Sequence, residues 1–214
     1  MNGTRVAIMG LSHDSRAFAP WHDKDWEKWG IPWDQEANSF TTLVDMHDQD
    51  LNQSPSAGMP TGYRKLLGNV GAPRRLFMQE AFDWAPQSTA YPFAEVNAVV
   101  FEGWGKKGSF PQYPVHTQED WYGSNIAYLL ALAISEGYAE IGLFGVDITQ
   151  QRFDHDRPNM NYLIGFARGQ GVDVYVPPTS HMFDMKRLDR MGLLTVEYPQ
   201  RYGFLAANRK RSQK

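Results

Sequence analysis

Four short apolar runs, separated by longer polar or helical stretches, predict the framework of this chain. They cover residues 4–9, 40–46, 140–146 and 172–176. Each run is followed by a helical or irregular stretch and not by a tight hairpin turn. The pattern therefore predicts a mainly parallel sheet whose strands are joined by crossover connections.

The most apolar part of the chain, residues 123–147, predicts a helix, a turn and a buried strand. Nearly every residue from 126 to 134 is apolar, so this helix has no fully solvated face and belongs between a sheet and other helices. Ser124 or Asn125 can cap its start, and Gly137 stands where a left-handed residue would end it.

Weaker patterns fill the remaining sequence. The run 75–79 predicts a further short strand, and residues 63–67 predict a short helix. Trp26 and Trp29 stand at helical spacing, which favours one face of a short helix ended by the glycine and proline that follow. Residues 181–191 predict a final helix.

The length of 214 residues suits a single domain over 1–214. Proline and glycine interrupt residues 80–122, which are expected to form a loop-rich insertion or a lid. Lys106 or Lys107 in that stretch could reach an anionic ligand, although most such loops are solvated turns. Residues 205–214 are expected to be a partly disordered tail. The predicted fold is α/β and Rossmann-like, a mainly parallel sheet with helices on both faces.

Composition and charge narrow the functional classes. With 42% hydrophobic and 21% charged residues, the chain has the composition of a folded globular protein. It contains no cysteine, which excludes disulfides, thiolate catalysis and zinc–cysteine sites. A net charge of -3 argues against a surface that coats nucleic acid. Neither a signal peptide nor a membrane-spanning run is present, so we expect a cytoplasmic protein without a membrane partner.

The loop after the first predicted strand is a candidate anion site. Gly10 leaves the strand, and Ser12, Ser15 and Arg16 follow. Backbone N–H groups and hydroxyls could donate to a phosphate or carboxylate, and an arginine can grip two oxygens. The loop lacks the later glycines of the dinucleotide-binding fingerprint, and an ordinary strand-to-helix turn with polar caps is the alternative interpretation.

Other polar residues fall at the carboxyl ends of later strands. His47, Asp147 and Ser180 each follow a predicted strand, while Ser124 and Asn125 lie at a helix N-terminus. Ligands of open parallel sheets bind beyond the carboxyl ends of the strands. We therefore expect a ligand site at this edge, with His47 able to act as acid, base or phosphate donor.

Asp147 has a second interpretation as a metal ligand. Together with Asp154, His155 and Asp156 it could hold a divalent cation, since such ions prefer carboxylate oxygens. The spacing matches no recognised metal motif, and a solvated acidic loop is the alternative. Magnesium therefore stays open.

Two segments carry a family resemblance: SNIAYLLALAISEGYAEIGLFGVDI and RPNMNYLIGFARGQGVDVYVPPTS. They resemble a group of tailed-phage proteins. More distantly, they are similar to the Rossmann-like superfamily that holds bacterial sialyltransferases and the DUF115 or 6-hydroxymethylpterin pyrophosphokinase-like proteins. The resemblance covers the first strand and roughly the last half of the chain. The matched positions are Gly10, Ser12, Arg16, Ser124, Asn125, Gly137, Gly145 and Asp147.

The resemblance implies that a nucleotide-linked donor, such as the CMP-sugar of the sialyltransferases, binds at this edge. A glycosyltransferase-like transferase is the favoured function. In that interpretation His47 is the general base or leaving-group acid and Asp147 fixes ribose or acceptor hydroxyls. Arg16, Ser12 and Ser15 hold the phosphate, and Ser124, Asn125 and Ser180 complete the nucleotide contacts.

Two other functions fit the same residues. One is a magnesium-dependent pyrophosphoryl transferase in which Asp147 binds the ion. The other is a phage protein, acting in the host cytoplasm, that sequesters a nucleotide without turnover. The sequence names neither the donor nor the acceptor, for which nucleic acid is one option, and it leaves a homo-oligomer open.

Overall fold

The computed structural model describes residues 4–47, 62–71, 74–101, 122–148 and 156–183. Contacts divide the chain into two units, 1–180 and 181–214. The first unit contains a seven-stranded parallel sheet in the order β5-β4-β3-β2-β1-β6-β7. Its strands are β1 (Arg5–Met9), β2 (Trp26–Gly30), β3 (Thr42–Asp45), β4 (Arg75–Met78), β5 (Ser88–Ala90), β6 (Glu140–Phe144) and β7 (Asp173–Tyr175).

Helices connect these strands, and the predicted α/β, Rossmann-like fold is confirmed. They are α1 (His13–Arg16), α2 (Tyr63–Gly68), α3 (Phe93–Val100), α4 (Asn125–Ser135) and α5 (Asp156–Gly169). Short 3-10 helices cover Ala37–Ser39 and, in the second unit, His181–Phe183. No helix of the described segments is both long and apolar enough to cross a membrane.

The four apolar runs of the sequence form strands of this sheet, as predicted. β1 lies between β2 and β6, so the chain builds outward from β1 in one direction and later returns to β1's other side. Such a reversal of strand order is the place where open α/β sheets bind their ligands.

Helix α4 is the buried helix that the sequence predicted. Every side chain from Ala127 to Ile134 is buried, and the helix packs on β1, β2 and β3. The Ser124 hydroxyl oxygen accepts from the Ala127 N–H at 3.4 Å, and Gly137 ends the segment at a φ of 78°. Both predicted caps are confirmed.

The prediction of a short helix around Trp26 and Trp29 is wrong. These residues lie in β2, which pairs with β1 through the partners Arg5 with Trp26 and Ile8 with Trp29. Residues three apart on a strand point to opposite faces. Trp29 is fully buried, with its ring 5.1 Å from that of Tyr138, whereas Trp26 is partly buried against the other face. Pairing with β1 therefore overrides the helical spacing.

The stretch expected to be loop-rich, 80–122, contains β5 and α3 within its described part. Residues 102–121, with Lys106 and Lys107, lie outside the described residues, as do 184–214 with the expected tail. Of the predicted final helix, only its first turn is described, as a 3-10 helix.

Candidate functional site

The chain segments that follow β1 and β6 are in direct contact where they leave the sheet. Gly10 N–H donates to the Phe144 carbonyl at 2.7 Å. A Cβ on Gly10 would lie 2.3 Å from the Gly145 carbonyl oxygen, and Gly145 has a φ of 73°. Only glycines permit this approach, and it fixes the first residues of the Gly10–Arg16 loop.

Asp147 is held by that loop. It is nearly fully buried. The Ser12 hydroxyl donates a short hydrogen bond to one carboxylate oxygen, and the Ser15 hydroxyl donates to the other at 2.6 Å. Ser180 lies close by, its hydroxyl donating to the Val146 carbonyl at 2.8 Å. The structure thus brings together four of the predicted site residues at the ends of β1, β6 and β7.

Arg16 already has an anionic partner. It makes a two-pronged ion pair with Asp34, through a short bond from Nη1 and a 2.8 Å bond from Nη2, and also donates to the Gly10 carbonyl at 2.9 Å. Trp21 covers the guanidinium at 4.9 Å. Three of its five N–H groups are used in these bonds, so Nε and one hydrogen of Nη2 remain for a ligand among the described contacts.

His47 is paired with a carboxylate that the sequence analysis did not single out. Asp45, the last residue of β3, is fully buried, and one of its oxygens lies 2.6 Å from Nδ1 of His47. A carboxylate can only accept here, so Nδ1 carries a proton, and in the neutral ring the lone pair lies on Nε2. The His47 side chain is 39% exposed. Such a pair can orient a histidine to take up or release a proton.

Two aromatic residues enclose this pair. The Trp33 ring lies 5.3 Å from that of His47 and 5.6 Å from that of Tyr63. Burial raises the pKa of Tyr63, and the charge of Asp45 raises it further, so its hydroxyl stays protonated. Asp45, Trp33 and Tyr63 come from β3, the loop after β2 and α2, three separate parts of the chain.

The N-terminus of α4 reaches the same strand end. The Asn125 side-chain oxygen accepts from the Met46 N–H at 3.0 Å, next to His47. Gln79 donates to the Met46 carbonyl at 3.0 Å from the other side. The partial positive charge of a helix N-terminus therefore lies beside His47. β2 separates this group from the β1 loop, which puts the two about 10 Å apart along the edge.

A metal centre at Asp147 lacks support in the described part of the chain. Asp154 and His155 lie outside it, and no three His, Asp or Glu side chains gather at one point among the described residues. Asp156 is buried at the start of α5. Magnesium binding therefore stays a prediction.

Sequence analysis missed Asp34, Asp45, Trp33 and Tyr63. Asp45 stands two residues before His47, where both can face one side of an extended strand end. That spacing was a usable signal. Asp34 is 18 residues from Arg16, and no sequence pattern links the two.

Comparisons with known proteins give a distant fold likeness only. No known protein-family model matches this chain, and no curated protein matches it. Two solved structures of the sialyltransferase CstII from Campylobacter jejuni resemble the fold, one in complex with cytidine-5'-monophosphate and the other with CMP-3FNeuAc. The first is 14% identical with a TM-score of 0.47, covering 83% of this chain and 81% of that chain. The second is 14% identical with a TM-score of 0.46, covering 83% and 82%. At this distance the likeness implies nothing about the chemistry of the present chain.

Proposed function

We propose that this chain binds a nucleotide or nucleotide-sugar at the carboxyl edge of its sheet and transfers the sugar, as a glycosyltransferase-like enzyme. One observation carries the proposal. Asp45 holds His47 as an oriented base at that edge, beside the N-terminus of α4. The pair supplies an acid–base group, and the N-terminus of α4 supplies an environment that favours an anion.

In this hypothesis, His47 removes the proton from the acceptor hydroxyl. Nε2 takes the proton while the acceptor oxygen forms a bond to the anomeric carbon of the sugar. The bond from that carbon to the phosphate oxygen breaks, and the nucleotide leaves with the electron pair. Asp45 stabilises the imidazolium that forms, because its carboxylate accepts from Nδ1.

The phosphate then lies against the first turn of α4, and another polar group of the nucleotide reaches the remaining N–H groups of Arg16, about 10 Å away along the edge. Backbone N–H groups at a helix start and an arginine are common phosphate donors. Ser12 and Ser15 donate their hydroxyl hydrogens to Asp147, so we assign these three residues to shaping the loop. Contact of Asp147 with a ribose or acceptor hydroxyl would use its remaining lone pairs.

A thermal-shift screen tests the binding part of the proposal. The probes are the common nucleoside mono- and diphosphates and nucleotide-sugars, each with and without Mg²⁺. A ligand at a hundred times its dissociation constant stabilises the fold by about 2.7 kcal/mol. No shift with any probe would contradict the proposal, and a shift that requires Mg²⁺ would favour pyrophosphoryl transfer.

Turnover is tested with His47→Gln and a matched control, His13→Gln. The His13 side chain is 99% exposed and makes none of the contacts that hold Asp147 or Arg16, so its replacement should leave donor cleavage unchanged. Replacing His47 should lower the rate by about 10²–10⁴-fold, the usual contribution of a general base, with binding retained. Tight binding by the wild type without any donor cleavage would indicate the nucleotide-sequestering alternative.

A further inference from the structure

The second oxygen of Asp45 has no hydrogen bond in the described part of the chain. Oδ1 accepts from Nδ1 of His47 at 2.6 Å and from the His47 backbone N–H at 3.4 Å. Oδ2 is fully buried and unpaired among the described residues. A buried carboxylate oxygen without a donor destabilises the folded state, so a hydrogen-bond donor to this atom is expected.

Tyr63 presents the complementary group. Its hydroxyl is also fully buried and also lacks a hydrogen-bond partner among the described residues. The two groups are close: burial raises the pKa of Tyr63 most, and the charge of Asp45 raises it further. One buried acceptor and one buried donor thus lie near each other, and a hydrogen bond between them would satisfy both.

Trp33 links Tyr63 to His47 on the other side of this pair. Its ring contacts both the His47 ring at 5.3 Å and the Tyr63 ring at 5.6 Å. Tyr63 is only 1% exposed and begins α2. Tyr63 and Asp45 are therefore both held by the core, whereas the His47 side chain is partly exposed.

We propose that Tyr63 is a positioning residue that donates to Oδ2 of Asp45, locking the carboxylate so that its Oδ1 holds His47 with the proton on Nδ1. The inference rests on the proposed function for its role in chemistry. Tyr63 contacts no reacting atom and acts through Asp45. Its effect is to keep the basic lone pair on Nε2, the nitrogen that must accept the acceptor's proton.

The tautomer of His47 tests the proposal without any ligand. Imidazole ¹⁵N shifts are recorded on the full chain at a pH where the ring is neutral, and His47→Gln identifies its signals among those of the six histidines. The wild type should show the Nδ1–H form predominating. Tyr63→Phe should lower the ratio of Nδ1–H to Nε2–H by about two- to tenfold, the range of one net hydrogen bond. Tyr175→Phe, at a half-exposed position of β7, should leave the ratio unchanged.

Asp45→Asn provides a second arm that keeps the test decisive if Tyr63→Phe folds poorly. The amide of Asn can donate to Nδ1, so the Nε2–H form should predominate in that variant. The proposal is overturned if the wild type shows mainly Nε2–H, or if folded Tyr63→Phe keeps the wild-type ratio. It is also overturned if Asp45→Asn leaves Nδ1–H predominant. Because no nucleotide is present, failure of the proposed function would leave these results unaffected.

Discussion

Arg16 and Asp34 form a nearly buried, two-pronged ion pair, with side chains only 16% and 1% exposed. The pair joins α1 to the loop after β2. It also means that the arginine predicted to hold a phosphate is first an internal partner of a carboxylate. A ligand at this loop therefore meets a guanidinium that is already oriented and partly neutralised.

Replacing Arg16 by alanine should destabilise the fold strongly. Removing one partner leaves the charge of Asp34 buried and unpaired, which costs about 3–5 kcal/mol. Arg5→Ala is the matched control, because the Arg5–Glu140 pair is 39% and 38% exposed and such pairs contribute about 0.2–1 kcal/mol. Urea unfolding of both variants measures the difference. Equal, small losses would show that Asp34 is stabilised without Arg16.

Gly10 should not tolerate a side chain. The added Cβ of Gly10→Ala would overlap the Gly145 carbonyl oxygen, and such overpacking costs about 1–3 kcal/mol. Gly165→Ala in α5 is the control, since its Cβ meets nothing within 4 Å. That change should stabilise the protein by about 0.5–1 kcal/mol. If Gly10→Ala melts at the wild-type temperature, the β1 and β6 ends do not approach as described.

Asp147→Asn tests whether this carboxylate is scaffold or ligand. Ser12 and Ser15 both donate to it, so loss of the charge should lower the free energy of unfolding by about 1–3 kcal/mol. Asp14→Asn, whose side chain is 78% exposed, should have little effect. Thermal melts and nucleotide binding are measured on both. Unchanged stability with loss of binding would make Asp147 a direct ligand group.

Alkaline pH should unfold the protein. Burial raises the pKa of Tyr63 and of Tyr91 well above the ordinary value, so both stay protonated in the folded chain. In the unfolded chain they ionise near pH 10. Above that pH the unfolded state binds fewer protons, and stability falls by up to about 1.4 kcal/mol per pH unit for each residue. The absorbance of tyrosinate measures ionisation, and circular dichroism measures unfolding. The prediction is contradicted if all tyrosines ionise before the circular dichroism of the folded chain is lost.

Sequence reasoning located those elements whose hydrophobic pattern is local. The buried helix α4 and its caps, Ser124 and Gly137, follow from short stretches of sequence. Strand β2 could not be predicted in this way. Glu27 and Lys28 separate its two tryptophans, and its strand character comes from pairing with β1. A pattern read along one segment carries no information about such a partner.

The candidate site likewise contains residues that a local pattern predicts and residues that only the folded chain brings together. The residues at strand ends were predicted because the carboxyl edge of a parallel sheet is a general binding position. Their partners were not, since Asp34 and Tyr63 reach Arg16 and Asp45 only through the folded chain. A buried carboxylate that lies far along the chain from its partner, such as Asp34, is therefore the kind of site residue that sequence reveals least.

Amide shift mapping tests most directly whether nucleotides bind at the carboxyl edge. ¹⁵N-labelled protein is titrated with the nucleoside phosphates and nucleotide-sugars of the screen. The account predicts the largest changes at His47 and its neighbour Met46, at Ser124 and Asn125, and at Gly10. Changes confined to the opposite edge of the sheet, or none with any probe, would contradict it.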